Sequence, residues 1–312
     1  MIAVVFPGQG AQKVGMGRAL HDEFPICRET FREADEALGE PLSRLCFEGP
    51  DADLVLTENT QPAILATSVA VFRLAESRGL QAAFAAGHSL GEYSAHVAAG
   101  TLSFADALRT VRRRGRYMQE AVPIGTGAMA ALLGLDADGV ARACAQAQEA
   151  LPGEVVTPAN LNAPGQVVIA GHASAVARAG EFARALGAKR VIPLAVSAPF
   201  HCPLMKPAEE RLAPELRALD ARDPRFPVVA NVDAEPRRDA AASIEALVRQ
   251  VSLPVRWDAV VARLIADGAR TFVELGPGTV LAGLIKKIDR SVTVVSVEHP
   301  DGLAGLDAVL GR

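Results

Sequence analysis

Only four cysteines occur in 312 residues, and Cys27, Cys46, Cys144 and Cys202 stand far apart, with no CxxC pair or Cys/His cluster. That spacing excludes a zinc knuckle and the dense bridging of a small secreted scaffold, and it favours a reducing, cytoplasmic setting. Surplus charge is missing too: 32 basic against 36 acidic side chains leave −4, which argues against nucleic acid as the main partner. No apolar run is long enough to span a bilayer, and no basic, apolar leader precedes the strand-like IAVVF at 2–6. The glycine turns at 8–10 and 276–278 lack the spacing of a phosphate or dinucleotide loop. No metal or nucleotide cofactor is expected.

What is present is apolar and alternating. Half of the residues are hydrophobic, enough for a large core. Short apolar runs predict strands at 2–6, 82–86 and 226–230, in TFVEL and in VTVVSVE, and longer patterned segments predict helices over 63–75, 104–120, 242–250 and 257–267. The stretch 38–62, with scattered Pro, Gly and Asp, reads as irregular. Between 126 and 195 the elements run β-α-β-β-α-β, a ferredoxin-like order. The expected architecture is α/β: a mostly parallel sheet covered by helices, formed by 1–125 plus 196–312, with an inserted ferredoxin-like α+β lobe at 126–195.

One short stretch carries chemistry. GHSLGEYSAH, at 87–96, places Ser89 between two glycines, after an apolar run and before a helix. Such a turn leaves the hydroxyl clear of its neighbours, and the first N–H groups of the helix point at charge developing on an attacked carbonyl. Leu90 N–H is the natural first oxyanion donor, and a second is expected from PGQGAQ, at Gln9 or beside it. A serine needs a base. Of the six histidines, His88 should point away across the turn, and His201 lies in a non-helical loop bounded by Pro199 and Pro203. No carboxylate follows it closely; Asp220, Asp223 and Asp233 are candidates by distance along the chain, and a backbone carbonyl could fix the ring instead. In FADALRTVRRRGRYMQE, at about 100° per residue, Arg114 falls on the flank of the apolar face, while Arg109, Arg112, Arg113 and Arg116 face solvent. Arg114 could grip a ligand carboxylate or form an internal ion pair, with Glu92 as the available partner.

Taken together, FPGQGAQ (6–12), GHSLGEYSAHVAAG (87–100), RRRGRYMQEAVPIGTGAMAALLG (112–134), NLNAPGQVVIAG (160–171), HCPLMKP (201–207), LVRQ with PVRW (247–257) and ELGPGTVLAGLIKK (274–287) resemble the malonyl-CoA:acyl carrier protein transacylases. The resemblance spans the chain. It implies a hydrolase-like α/β domain with a ferredoxin-like insertion and transfer of a malonyl group from malonyl-CoA to the phosphopantetheine thiol of acyl carrier protein, without a cofactor. It also implies Ser89 as nucleophile, His201 as base, the Gln250 main-chain carbonyl as its partner, Gln9 and Leu90 as oxyanion donors and Arg114 as the carboxylate clamp. Asn162 and Phe200 are expected in the pocket, Phe200 as bulk against a C2 branch. An acidic carrier should meet a basic rim, for which Lys189, Arg190, Lys286 and Lys287 are candidates. Two other readings fit the same residues: a serine hydrolase of acyl thioesters, or a non-catalytic interaction protein on the same fold.

Overall fold

The computed structural model describes residues 1–123 and 125–312; Ile124, inside the quoted segment 112–134, lies outside them. Strands run in chain order β1 (Ile2–Phe6), β2 (Phe84–Gly87), β3 (Gly127–Leu133), β4 (Val156–Ala163), β5 (Gln166–His172), β6 (Arg190–Pro193), β7 (Val228–Val229), β8 (Pro236–Arg237), β9 (Thr271–Leu275) and β10 (Thr293–Val297). They form a six-stranded sheet ordered β10-β9-β1-β2-β7-β8 and a four-stranded sheet ordered β4-β5-β3-β6. In the large sheet every pairing is parallel except β7 with β8. Its central strands are buried on both faces, so they read as unbroken apolar runs such as AVVF and FAAG rather than alternating ones. The small sheet is wholly antiparallel, and helices Ala137–Ala150 and Ala173–Ala185 close its own apolar core. This is the ferredoxin-like strand order.

Parallel strands deliver their carboxyl ends to one edge, where a site can form. Here β1 runs into Pro7-Gly8-Gln9 and β2 into the serine turn, and the two strands pair directly up to Phe6 and Gly87. The small sheet is tied to this edge by backbone bonds: Leu161 N–H donates to the Val255 carbonyl (2.8 Å) and Val255 N–H to that of Ala159 (2.9 Å).

Residues 38–62 are not irregular. They contain helices Leu42–Glu48 and Asp51–Leu54 and the start of the helix Thr57–Ser77. The prolines that suggested a loop sit where helices tolerate them: Pro41 and Pro50 cap the two short helices. Pro62 is the sixth residue of the long helix, where it forgoes one bond near the start. That helix packs against Phe104–Glu120 at Gly115, where a Cβ would stand 2.6 Å from the Thr57 carbonyl oxygen. The close approach brings Arg114 beside Gln61.

Candidate active site

The turn after β2 is built for close contact. A Cβ on Gly87 would lie 1.9 Å from the Gly91 carbonyl carbon, and one on Gly91 would lie 2.1 Å from the Phe6 carbonyl oxygen. Glycine at both positions therefore lets strand, turn and helix Gly91–Ala98 meet. Between them Ser89 adopts φ 50°, a left-handed conformation that costs a non-glycine residue of order 1–3 kcal/mol. His201 is also left-handed, at φ 58°.

These two strained residues face each other. Ser89 Oγ lies 2.6 Å from His201 Nε2, and His201 Nδ1 lies 2.9 Å from the Gln250 carbonyl and 3.2 Å from that of Leu253. Both Nδ1 partners can only accept, so Nδ1 carries the proton, and Nε2 is left to accept from the serine hydroxyl. No aspartate takes this place: Asp233 pairs with Arg237, and Asp223 accepts from Ala240 N–H. Burial, followed by the cationic Arg114 nearby, pushes His201 well below its usual range to about 3, against the opposing pull of the carbonyl bonds. The ring is held neutral and ready to accept a proton.

Arg114 is buried, 2% exposed, and pairs with no carboxylate among the described residues. It donates to Gln61 Oε1 (2.8 Å), to Gln250 Oε1 (2.8 Å) and to Ser89 Oγ (3.2 Å), and it lies over the Tyr93 ring. Glu92, the partner available for an internal ion pair, turns instead beneath the serine turn, where its Oε2 accepts from Asn231 N–H and Gln250 Nε2. Arg109, Arg112, Arg113 and Arg116 each reach a surface carboxylate. A buried guanidinium without an anion is expensive. This one opens onto a cleft of about 480 Å³ whose lining includes Gln9, Ser89, Arg114, Asn160, Phe200 and His201.

Neither Gln9 N–H nor Leu90 N–H has an acceptor among the described residues, and Gln9 lines the same cleft as Ser89. One expectation needs correction. Asn162 does not line the cleft; Asn160, on the same strand, does. Strand β4 breaks register on either side of Asn160 and Leu161, and Asn162 Oδ1 is left facing His88 Nε2 at 2.8 Å. His88 is among the residues lining the cleft, with its ring turned to Asn162 and Trp257 rather than to the Ser89 hydroxyl. Cys202 is buried, its thiol pushed up to about 11 by desolvation, and it donates to the Pro199 carbonyl. Gln61 and Asn231 were not singled out from the sequence, since neither stands in a motif with a chemical signature. Among the described residues no group of three or more His, Cys, Asp or Glu side chains could hold a metal ion.

The pH dependence follows from the sign of the His201 shift. Acylation needs the neutral ring, and a lowered pKa keeps it neutral further into acid. The acid limb of kcat/KM should lie below the ordinary histidine value of 6.5. Removing the neighbouring cation with Arg114→Ala should move that limb up. A wild-type half-maximum at 6.5 would contradict the buried geometry.

Residues 3–303 match the family described as acyl transferase domain. The malonyl CoA-acyl carrier protein transacylase of Escherichia coli (strain K12) is 51% identical over 303 residues, covering 97% of each chain. That of Bacillus subtilis (strain 168) is 50% identical over 300 residues, covering 96% of this chain and 94% of the relative. An acyl carrier protein S-malonyltransferase crystal structure from Vibrio cholerae superposes with a TM-score of 0.95 at 48% identity, over 98% of this chain and 99% of that one. A malonyl-transacylase solved in complex with its type II PKS acyl-carrier protein gives 0.95 at 46% identity, over 100% and 99%. With a serine, a histidine and an unpaired arginine meeting at one cleft, and with kinship along nearly its whole length, the chain belongs to the malonyl CoA-acyl carrier protein transacylase family.

Proposed function

We propose that the protein is an [acyl-carrier-protein] S-malonyltransferase, moving malonyl from malonyl-CoA to the phosphopantetheine thiol of acyl carrier protein through a malonyl-serine ester. Ser89 Oγ attacks the thioester carbonyl while His201 Nε2 takes its proton. The Gln250 carbonyl holds the resulting imidazolium by its Nδ1–H. Main-chain N–H groups of Gln9 and Leu90 receive the oxyanion, each worth about 3 kcal/mol if typical. The C–S bond breaks, and coenzyme A departs as a thiol with the proton from His201. The carrier thiol then attacks the ester, returning its own proton to the serine through the same ring. One thioester replaces another, so the exchange is close to isoenergetic and needs no cofactor.

Arg114 holds the malonyl carboxylate. A carboxylate arriving there would draw the guanidinium away from Ser89 Oγ and neutralise the cation that depresses His201, so the acidic substrate itself raises the strength of the base. Phe200 restricts branching at C2, and Asn162 acts on the cleft through His88. In this reading the 126–195 lobe is the small domain, set against the large one formed by 1–125 with 196–312. A cytoplasmic setting is in keeping with four buried, unbridged thiols; no helix among the described residues is long and apolar enough to cross a membrane.

The observation that carries this reading is the relay from Ser89 Oγ to His201 to the Gln250 carbonyl, at 2.6 and 2.9 Å. Initial rates measured over malonyl-CoA at several carrier concentrations should give parallel double-reciprocal lines. Intersecting lines would point to direct transfer without a serine ester. For the carrier, Lys189, Arg190, Lys286 and Lys287 are exposed and make no ion pair within 4.0 Å among the described residues. Reversing their charge should raise the carrier KM at low salt by about tenfold and leave acylation by malonyl-CoA unchanged; an unaltered carrier KM would remove these residues from the rim.

A further inference from the structure

Four residues close a ring of hydrogen bonds beneath the nucleophile. Asn231 Oδ1 accepts from Ser89 N–H (2.7 Å), and Asn231 Nδ2 donates to the Gly87 carbonyl (2.7 Å). Asn231 N–H donates to Glu92 Oε2 (3.0 Å), which also accepts from Gln250 Nε2 (2.8 Å). Gln250 Nε2 completes the circuit by donating to the Ser89 carbonyl (2.9 Å). Glu92, Asn231 and Gln250 are all fully buried.

The ring controls three things the reaction needs. It holds the peptide groups on both sides of Ser89, whose left-handed backbone would otherwise relax and carry Oγ away from His201. It also aims the oxyanion donor, because the Ser89 carbonyl and Leu90 N–H belong to one planar peptide unit; fixing the first directs the second. Finally, it selects one orientation of the Gln250 amide. An acceptor on the Glu92 side and the Arg114 donor on the other leave Nε2 facing Glu92 and Oε1 facing Arg114. The same residue's main-chain carbonyl holds His201. Glu92 touches no reacting atom, yet it joins the two side chains that fix the nucleophile's backbone.

We propose that Glu92 is a positioning residue for acyl transfer, its buried Oε2 locking Asn231 and Gln250 around the strained Ser89 so that hydroxyl, imidazole and oxyanion donor stay in register. This rests on the malonyl-serine mechanism above. What the ring needs from position 92 is an acceptor rather than a negative charge: Oε2 takes both bonds, and Oε1 has no partner among the described residues. A glutamine can supply that acceptor; a leucine of similar bulk cannot.

The test compares Glu92→Leu and Glu92→Gln in single-turnover acylation by malonyl-CoA, with thermal melting as the check on folding. The leucine variant should lose about 50-fold or more in the acylation rate with KM for malonyl-CoA within about threefold, the size expected when reacting groups drift by an ångström or less. The glutamine variant should recover to within about fivefold of wild type. A leucine variant within threefold of wild type, a glutamine variant as slow as the leucine one, or a loss confined to KM would each overturn the proposal. Should the leucine variant not fold, Asn231→Ala opens the ring from its other side, and full acylation by that variant would overturn the proposal equally. Wild-type adduct formation in the same assay reports on the malonyl-serine reading separately.

Discussion

Replacing His201 with alanine should slow acylation of Ser89 by about 10²–10⁴-fold, the usual range for loss of a positioned general base. The reason lies in the pairing geometry. Among the described residues Ser89 Oγ has one proton acceptor, His201 Nε2 at 2.6 Å, and its other close partner, Arg114, is a donor at 3.2 Å. Without the ring the hydroxyl keeps its proton, and the Arg114 contact draws electron density from the attacking oxygen. Both half-reactions pass through the same imidazole, so the carrier step should fall alongside the coenzyme A step. KM for malonyl-CoA should change little, because the carboxylate is held elsewhere. Quenched-flow measurement of the serine ester checks this, and a loss of less than tenfold would mean that another group takes the proton.

The second large effect concerns selectivity. Arg114→Ala should reduce kcat/KM for malonyl-CoA by about 10²–10³-fold, as expected when one partner of a buried charge pair is truncated, and should change acetyl transfer only a few-fold. In the free enzyme the guanidinium leans on Gln61, Gln250 and Ser89 and pairs with no carboxylate among the described residues. A malonyl group supplies the missing charge, whereas an acetyl group leaves the cation desolvated and still bonded to the nucleophile. Adding formate to reactions with acetyl-CoA provides a separate check. Formate can occupy the carboxylate position that acetyl leaves empty, so it should accelerate acetyl transfer by the wild type and not by Arg114→Ala. Equal losses for both donors, together with no formate effect, would remove the clamp role.

Local patterns in the sequence carried much of this site. The two glycines around Ser89 announce a tight turn because each packs where a Cβ cannot go. Helix phase placed Arg114 at the buried edge while its four arginine neighbours went to surface carboxylates. The β-α-β-β-α-β order of the small lobe was legible because each of its helices and most of its strands are bounded by turn residues. The fold was misread where proline stands at helix edges, as between Leu38 and Pro62, since a composition rule cannot distinguish a cap from a break.

Other features had no local signature to read. The Gln250 carbonyl that orients His201 is a backbone atom, which any residue possesses. The Glu92, Asn231 and Gln250 contacts join positions 139 to 161 residues apart, and only the closed sheet edge brings them together. Glu92 looked available to Arg114 on helix geometry. Its carboxyl instead accepts from the Asn231 and Gln250 N–H groups beneath the turn.

Everything proposed here depends on the Ser89 hydroxyl carrying the acyl group between two thiols. Brief exposure of the intact protein to malonyl-CoA, followed by mass measurement, should show one malonyl adduct that localises to Ser89, disappears on adding carrier protein and never forms on Ser89→Ala. An adduct that persists on the alanine variant, or wild-type transfer to carrier with no protein-bound intermediate, would contradict the account.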